Sequence, residues 1–226
     1  MSKRAWHSLR RDVIGCELCP RLISHCKEIA KTKRRAYIDE NYWGKPVPNV
    51  GAPPARLLVV GLAPGAHGAN RVGRMFSGDR SGDWLYEALH RFEFANQPTS
   101  SSLEDGLELQ DCVITNVCRC APPGNKPTTE ELNTCSQYLD RTFELVQPDV
   151  IIALGQLAWK AILNYFSTRI DLPKPRPKFS HNAMVSLESH ITLLGSYHPS
   201  QQNTFTGRLT KPMFHRVFRR ARRLLT

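Results

Sequence analysis

The 226-residue chain predicts an α/β fold, a single domain with a central four-stranded parallel sheet flanked by helices. Four short apolar runs, at 56–62 (RLLVVGL), 111–117 (DCVITNV), 149–155 (DVIIALG) and 191–197 (ITLLGSY), are rich in β-branched residues and bounded by turn residues, the signature of buried strands. Helical patterns fill the gaps between them, and strand–helix alternation favours parallel strands joined by crossover helices. The length suits one sizeable core.

In chain order, the strand at 56–62 is followed by a glycine-rich stretch and a helical pattern at 82–94 (GDWLYEALHRFEF). After the second strand, a helix at 128–147 opens with a Thr128–Glu131 capping box. The third strand leads directly into a helix at 156–166. The proline-rich DLPKPRPKF at 171–179 has no hydrophobic period and reads as an ordered surface loop. Beyond the fourth strand, Phe214, Phe218, Ala221 and Leu225 fall near helical spacing, with Arg216, Arg219, Arg220 and Arg223 mostly elsewhere on the wheel. This is an amphipathic helix docked on the sheet, whose arginines either face solvent or contact phosphate. There is no internal repeat.

Lys and Arg number 31 against 20 Asp and Glu, a formal charge of +11, which favours a polyanionic partner, nucleic acid before membrane. The start, MSKRAWHSLRRD, lacks an apolar signal core, and no stretch reaches the roughly 18 apolar residues of a membrane span, so a cytoplasmic protein is expected, and it is taken as a monomer without a sequence signal for that. Seven cysteines is an odd count. In a reducing compartment, spaced cysteines read first as metal or cluster ligands. Cys16 and Cys19 form C-x-x-C, and Cys120 and Cys135 complete a four-thiolate set, with Cys118 as the rival of Cys120 and with Cys26 and Cys112 left as buried thiols. Spacing alone does not separate zinc from iron–sulfur.

Ligands of open parallel sheets bind beyond the carboxyl ends of strands, and three unusual segments sit there: GLAPGAHGANRVGRMFSGD (61–79), Asn116 with CRCAPPGNKP, and YHPSQQN from 197. Gly65 and Gly68 allow backbone N–H groups to approach an anion. The glycine spacing fits neither a Walker A loop nor the dinucleotide fingerprint.

Together, GLAPGAHG, GRMFSGD, the Asn116 strand end, CAPPGNKPT and YHPSQQNTFTGRLT resemble the uracil-DNA glycosylase superfamily, specifically its family five, the B type with an iron–sulfur cluster. The resemblance runs from Cys16 to about Met213. It implies a DNA-repair hydrolase that flips out and excises uracil, with hypoxanthine and other deaminated or damaged bases, leaving an abasic site. Carried over residue by residue, it implies that Phe76 stacks on the flipped base and that Asn116 reads it. His198 then stabilises the departing anion together with backbone N–H groups of Gly65, Ala66 and His67. Leu62 and Ala63 stand where other branches carry a polar or acidic water activator. The resemblance therefore turns to Asp79 for positioning water, although an aspartate before a helix is also an N-cap. Asn125 is a further candidate active-site amide or a turn residue. The resemblance also makes Gln201, Gln202 and Asn203 the candidate probes entering the duplex, the alternative being an ordinary polar loop. The resemblance also selects a structural [4Fe–4S] cluster on Cys16, Cys19, Cys120 and Cys135, tying the segment 1–50 to the sheet. A noncatalytic iron–sulfur or zinc module binding nucleic acid would share the charge and the cysteines but would not need Phe76, Asn116 and His198 at one edge. An electron-transfer protein would explain the cysteines only.

Overall fold

The computed structural model describes residues 3–188 and 190–226. Strands β1 (Leu57–Gly61), β2 (Cys112–Asn116), β3 (Val150–Leu154) and β5 (Thr192–Ser196) run parallel, in the four windows that the sequence marks. Their residues are almost continuously buried, as expected of strands covered on both faces. The sheet has five strands rather than four, in the order β2-β1-β3-β5-β4. The added edge strand β4 (Met184–Ser186) pairs antiparallel with β5, Met184 opposite Leu194 and Ser186 opposite Thr192. Three residues with two of them exposed carry no apolar run, which is why the pattern misses it.

The strand side chains divide alternately between two cores. Leu57, Val59, Ile114, Ile152 and Leu194 pack with helices α4 (Arg80–Arg91) and α8 (Lys211–Leu224), while Leu58, Val60, Val113, Ile151 and Leu193 pack with α5 (Thr129–Val146) and α6 (Gln156–Ser167). The chain leaving β1 and β5 thus turns to one face, and the chain leaving β2 and β3 turns to the other. A crevice is left at the carboxyl ends of adjacent strands whose connections diverge. The first residues form α1 (Lys3–Ile14), packed on α5, and α2 (Pro20–Thr32), packed on the short α3 (Ala69–Val72). The segment after α2 is stitched to the sheet by the Val50–Ile114 bridge and by Val47 N–H donating to the Arg119 carbonyl at 2.7 Å.

The capping box of α5 forms as read: Thr128 Oγ1 accepts from Glu131 N–H, and Glu131 accepts from Thr128 N–H at 2.8 Å. Helix α8 buries Phe214, Val217, Phe218 and Ala221. Several of its arginines are engaged by the protein itself. Arg220 donates to the Asn182 carbonyl at 3.0 Å, Arg222 donates to Phe92 and Glu93, and Arg219 lies over the Phe92 ring.

Candidate active site

Gly61 and Asn116 end neighbouring strands in register, and the glycine is required there. A Cβ on Gly61 would stand 2.3 Å from Asn116 Oδ1 and 2.6 Å from Phe76 Cζ, so its absence lets both side chains enter the same space. Asn116 is 1% exposed, and its Oδ1 has no hydrogen-bond partner among the described residues. A buried unpaired amide oxygen is costly unless something else is to bind it. Phe76 holds a left-handed backbone, φ 58°, which is strained for a bulky residue. Its ring stacks on the His198 imidazole, centroids 5.9 Å apart and 28° between planes. Burial pushes the His198 pKa down to about 4, leaving a neutral imidazole near pH 7 that hydrogen-bonds to none of the described residues.

The loop after β1 turns on itself through Gly68 N–H and Asn70 N–H, both donating to the Gly65 carbonyl, at 3.2 and 3.0 Å. The N–H groups of Gly65, Ala66 and His67 find no acceptor among the described residues, which leaves three donors in a row for an anion. The two carboxylate oxygens of Asp79 face different ways. Its Oδ1 caps α4, accepting from Ser81 N–H at 2.9 Å and Gly82 N–H at 3.2 Å. Its Oδ2 lies against the glycine loop, where a Cβ on Gly68 would meet it at 2.2 Å and one on Gly65 at 2.9 Å. Burial raises its pKa despite the capping bonds. Leu62 and Ala63 are half-buried and offer no polar side chain.

The segment after His198 is not a polar loop. Residues Gln201–Phe205 form the short helix α7, capped by Ser200 Oγ, which accepts from Asn203 N–H. Gln201 and Gln202 are exposed, but Asn203 turns inward and donates to the His198 carbonyl at 2.8 Å, holding the histidine loop rather than projecting from it. Sequence reading missed Phe205, which ends α7 with 66% of its surface exposed and the Arg80 guanidinium 4.5 Å from its ring. An aromatic two residues past the amides was the available signal. Asn125 lies exposed in a tight turn with φ 58°, its N–H donating to the Pro122 carbonyl, and its side chain makes no hydrogen bond among the described residues.

The cysteines gather on the N-terminal side. Cys118 and Cys135 are hydrogen-bonded neighbours, which with burial raises the first thiol, while the bond from Cys118 and the nearby Arg119 lower the second to about 7. Cys19 lies near Cys16 and Cys135. Cys120 instead partners Cys26, whose Sγ also contacts the Ala121 carbonyl at 3.6 Å. Arg119, between the two cysteines in sequence, is 1% exposed and donates to Asn49, Thr142 and the Tyr138 carbonyl. Its Nε has no acceptor, and it forms no salt bridge among the described residues. Burial pulls its pKa down to about 10, so it remains a cation.

Comparison with known proteins defines the class to which this arrangement belongs. Residues 48–222 match the model of the uracil DNA glycosylase superfamily, and the chain is a member of that family. Within it, the chain is 50% identical over 218 residues to the type-5 uracil-DNA glycosylase of Mycobacterium leprae, covering 96% of this chain and 94% of the relative. It is 46% identical to the type-5 uracil-DNA glycosylase of Thermus thermophilus, over 95% of each chain, and 34% identical to the type-4 enzyme of Archaeoglobus fulgidus, over 84% of this chain and 79% of that one.

Proposed function

We propose that this protein is a type-5 uracil-DNA glycosylase, a DNA-repair hydrolase that flips uracil out of DNA and cleaves its N-glycosidic bond to leave an abasic site. The observation that carries this reading is the buried, unpaired Asn116 Oδ1 beside Phe76 and a neutral His198 at one sheet edge. An asparagine amide that donates from Nδ2 to uracil O4 and accepts at Oδ1 from N3–H matches uracil, whereas cytosine presents the opposite pattern. Phe76 supplies a face for the flipped base. As the bond breaks, negative charge grows on the base at O2. The uncharged His198 imidazole and the free N–H groups of Gly65, Ala66 and His67 are donors already in place for it. Asp79 Oδ2 holds a water and balances the cationic sugar, while Oδ1 keeps the carboxylate fixed on the helix. By the family resemblance, hypoxanthine and other deaminated or damaged bases are further substrates. Gln201, Gln202 and Phe205 form the exposed end that faces the opened duplex.

The same reading includes a [4Fe–4S] cluster, and the cysteine layer fits one. A buried guanidinium with no carboxylate partner is favoured by a nearby anion, and the thiols of Cys118, Cys120 and Cys135 lie near Arg119 beside the neutral acceptors on Asn49, Thr142 and Tyr138. Four thiolates suit zinc or iron–sulfur equally, and it is the family resemblance that favours the cluster. Cys16, Cys19 and Cys135 would hold it, with the fourth ligand from the Cys118–Cys120 pair, Cys120 first. When bound it would supply a structural tie between the segment 1–50 and the sheet. Cytoplasmic location and a monomeric state complete the proposal. No helix among the described residues is long and apolar enough to cross a membrane.

The test is incubation with a duplex bearing a single uracil. Release of free uracil together with an alkali-labile site at that position supports the reading. Binding without release would leave a nucleic-acid-binding module, and the absence of both release and binding would refute both readings.

A further inference from the structure

Residues 33–44 carry no motif and contain no element beyond one short helical turn, yet they are strapped across the glycine-rich loop after β1. Arg71, with its side chain 9% exposed, is the centre of the strap. Its Nε donates to the His67 carbonyl at 2.8 Å and its Nη2 to the Gly78 carbonyl at 3.0 Å, its Nη1 pairs with Glu40, and its guanidinium lies 3.9 Å over the Tyr37 ring. Trp43 N–H donates to the Arg71 carbonyl at 2.8 Å. The strap places the Tyr42 hydroxyl 3.1 Å from His67 Nδ1, the two rings meeting edge to face with centroids 6.1 Å apart.

Arg34 N–H donates to the Tyr42 oxygen at 3.3 Å, filling one of its acceptor sites and leaving the phenolic hydrogen free for His67. A proton donated to Nδ1 requires that nitrogen to be the acceptor, so the imidazole carries its own hydrogen on Nε2. Burial, Arg34, Arg71 and His25 all lower the His67 pKa, so the ring stays neutral and its donor capacity depends on the tautomer. The ring is half-buried, its Nε2 has no partner among the described residues, and Arg34 and Arg71 lie near it, the second paired with Glu40.

We propose that Tyr42 is a positioning residue that fixes His67 as an outward Nε2–H donor for one phosphodiester of the DNA strand. The His67 backbone thereby serves the departing base and its side chain serves the strand. An anionic partner is favoured by the surrounding positive charge, and the exposed anions of DNA are its phosphates. Without the tyrosine hydroxyl the ring samples both tautomers, and in one of them a nitrogen lone pair faces the phosphate.

This inference rests on the glycosylase reading, and its test separates the two. The probe is a uracil duplex made uncleavable by 2′-fluorination of the uridine, with single phosphodiesters near it replaced one at a time by neutral methylphosphonate. Tyr42→Phe is expected to weaken binding by about fivefold to tenfold, the scale of one neutral hydrogen bond. Excision of the ordinary uracil duplex at saturating protein should change by less than about threefold, since the bond is present in ground and transition states alike. At one linkage, the methylphosphonate penalty seen with wild-type protein should vanish in Tyr42→Phe and in His67→Ala. In His67→Gln, whose amide donates without help, Tyr42→Phe should cost less than twofold. Wild-type protein that fails to excise uracil would refute the glycosylase reading. Active wild-type protein with Tyr42→Phe binding unchanged, or with no linkage at which the penalties couple, would overturn the role of Tyr42. Should Tyr42→Phe not fold, coupling of His67→Ala to a single linkage decides the phosphate contact, and the nitrogen NMR signals of the His67 ring in wild-type protein decide the hydroxyl's part, an Nδ1–H tautomer overturning it.

Discussion

Two regions of this molecule each leave a buried polar atom without a partner, and they do so for different reasons. At the carboxyl edge of the sheet the orphan is neutral, Asn116 Oδ1, and it faces a space shared with the aromatic ring of Phe76 and the uncharged His198. In the cysteine layer the orphan is Nε of a cation, Arg119, sealed among thiols, with no described carboxylate paired to it. A neutral orphan at a crevice is completed by a ligand that comes and goes. A charged orphan in a closed interior has to be matched by something resident. The first region is therefore read as the place of chemistry, the second as a fastening, and the comparison can be broken from either side.

The largest effect is expected at the edge. His198→Ala removes a donor placed for charge that appears only as the base departs, so single-turnover excision should fall by about 10²–10³ with little change in binding of uracil duplex. Loss of binding alone would reduce His198 to a contact residue. In the cysteine layer, Cys16→Ser and Cys135→Ser should lower iron content and folding yield, and of Cys118→Ser and Cys120→Ser only one should do so. Full iron in all four variants would remove the cluster from these residues. Surviving folded molecules should keep most of their excision rate, which sharpens the contrast with His198.

The smallest effect concerns pH. His198 has a folded-state pKa of about 4, below its ordinary value of 6.5, so between these limits the unfolded chain binds the extra proton and the native state does not. Its contribution is intact above about pH 6.5 and is lost as pH falls toward 4, so Tm should decline across that window. His198→Gln should decline less there, and equal declines would show that other groups dominate.

The fold was largely legible because its four parallel strands are buried on both faces and leave uninterrupted apolar runs in the sequence. β4 was not legible, since an edge strand of three half-exposed residues has no such run. Helix α7 escaped for a related reason: five residues capped by Ser200 are too short for a helical period, and the amides within it resemble a loop. At the site, the segments after the strands, through the family resemblance they carry, pointed to Asn116, Phe76, His198 and Asp79, but contacts between distant segments did not show. Nothing local in the sequence ties Tyr42 to His67, or separates Cys118, which partners Cys135, from Cys120, which partners Cys26. Asp79 was posed as cap or catalyst because a sequence does not show that its two oxygens face different ways.

That last residue offers the most direct test of the division between chemistry and fastening. Asp79→Asn keeps an acceptor for the α4 cap and removes the charge facing Gly65 and Gly68. Single-turnover excision and iron content should be measured on one preparation. We expect iron and visible absorbance equal to wild type, a loss of stability of about 1 kcal/mol or less, and excision lower by about 10²–10⁴. Near-wild-type excision by folded, iron-loaded Asp79→Asn would contradict the account and leave His198 and the backbone donors as the source of catalysis.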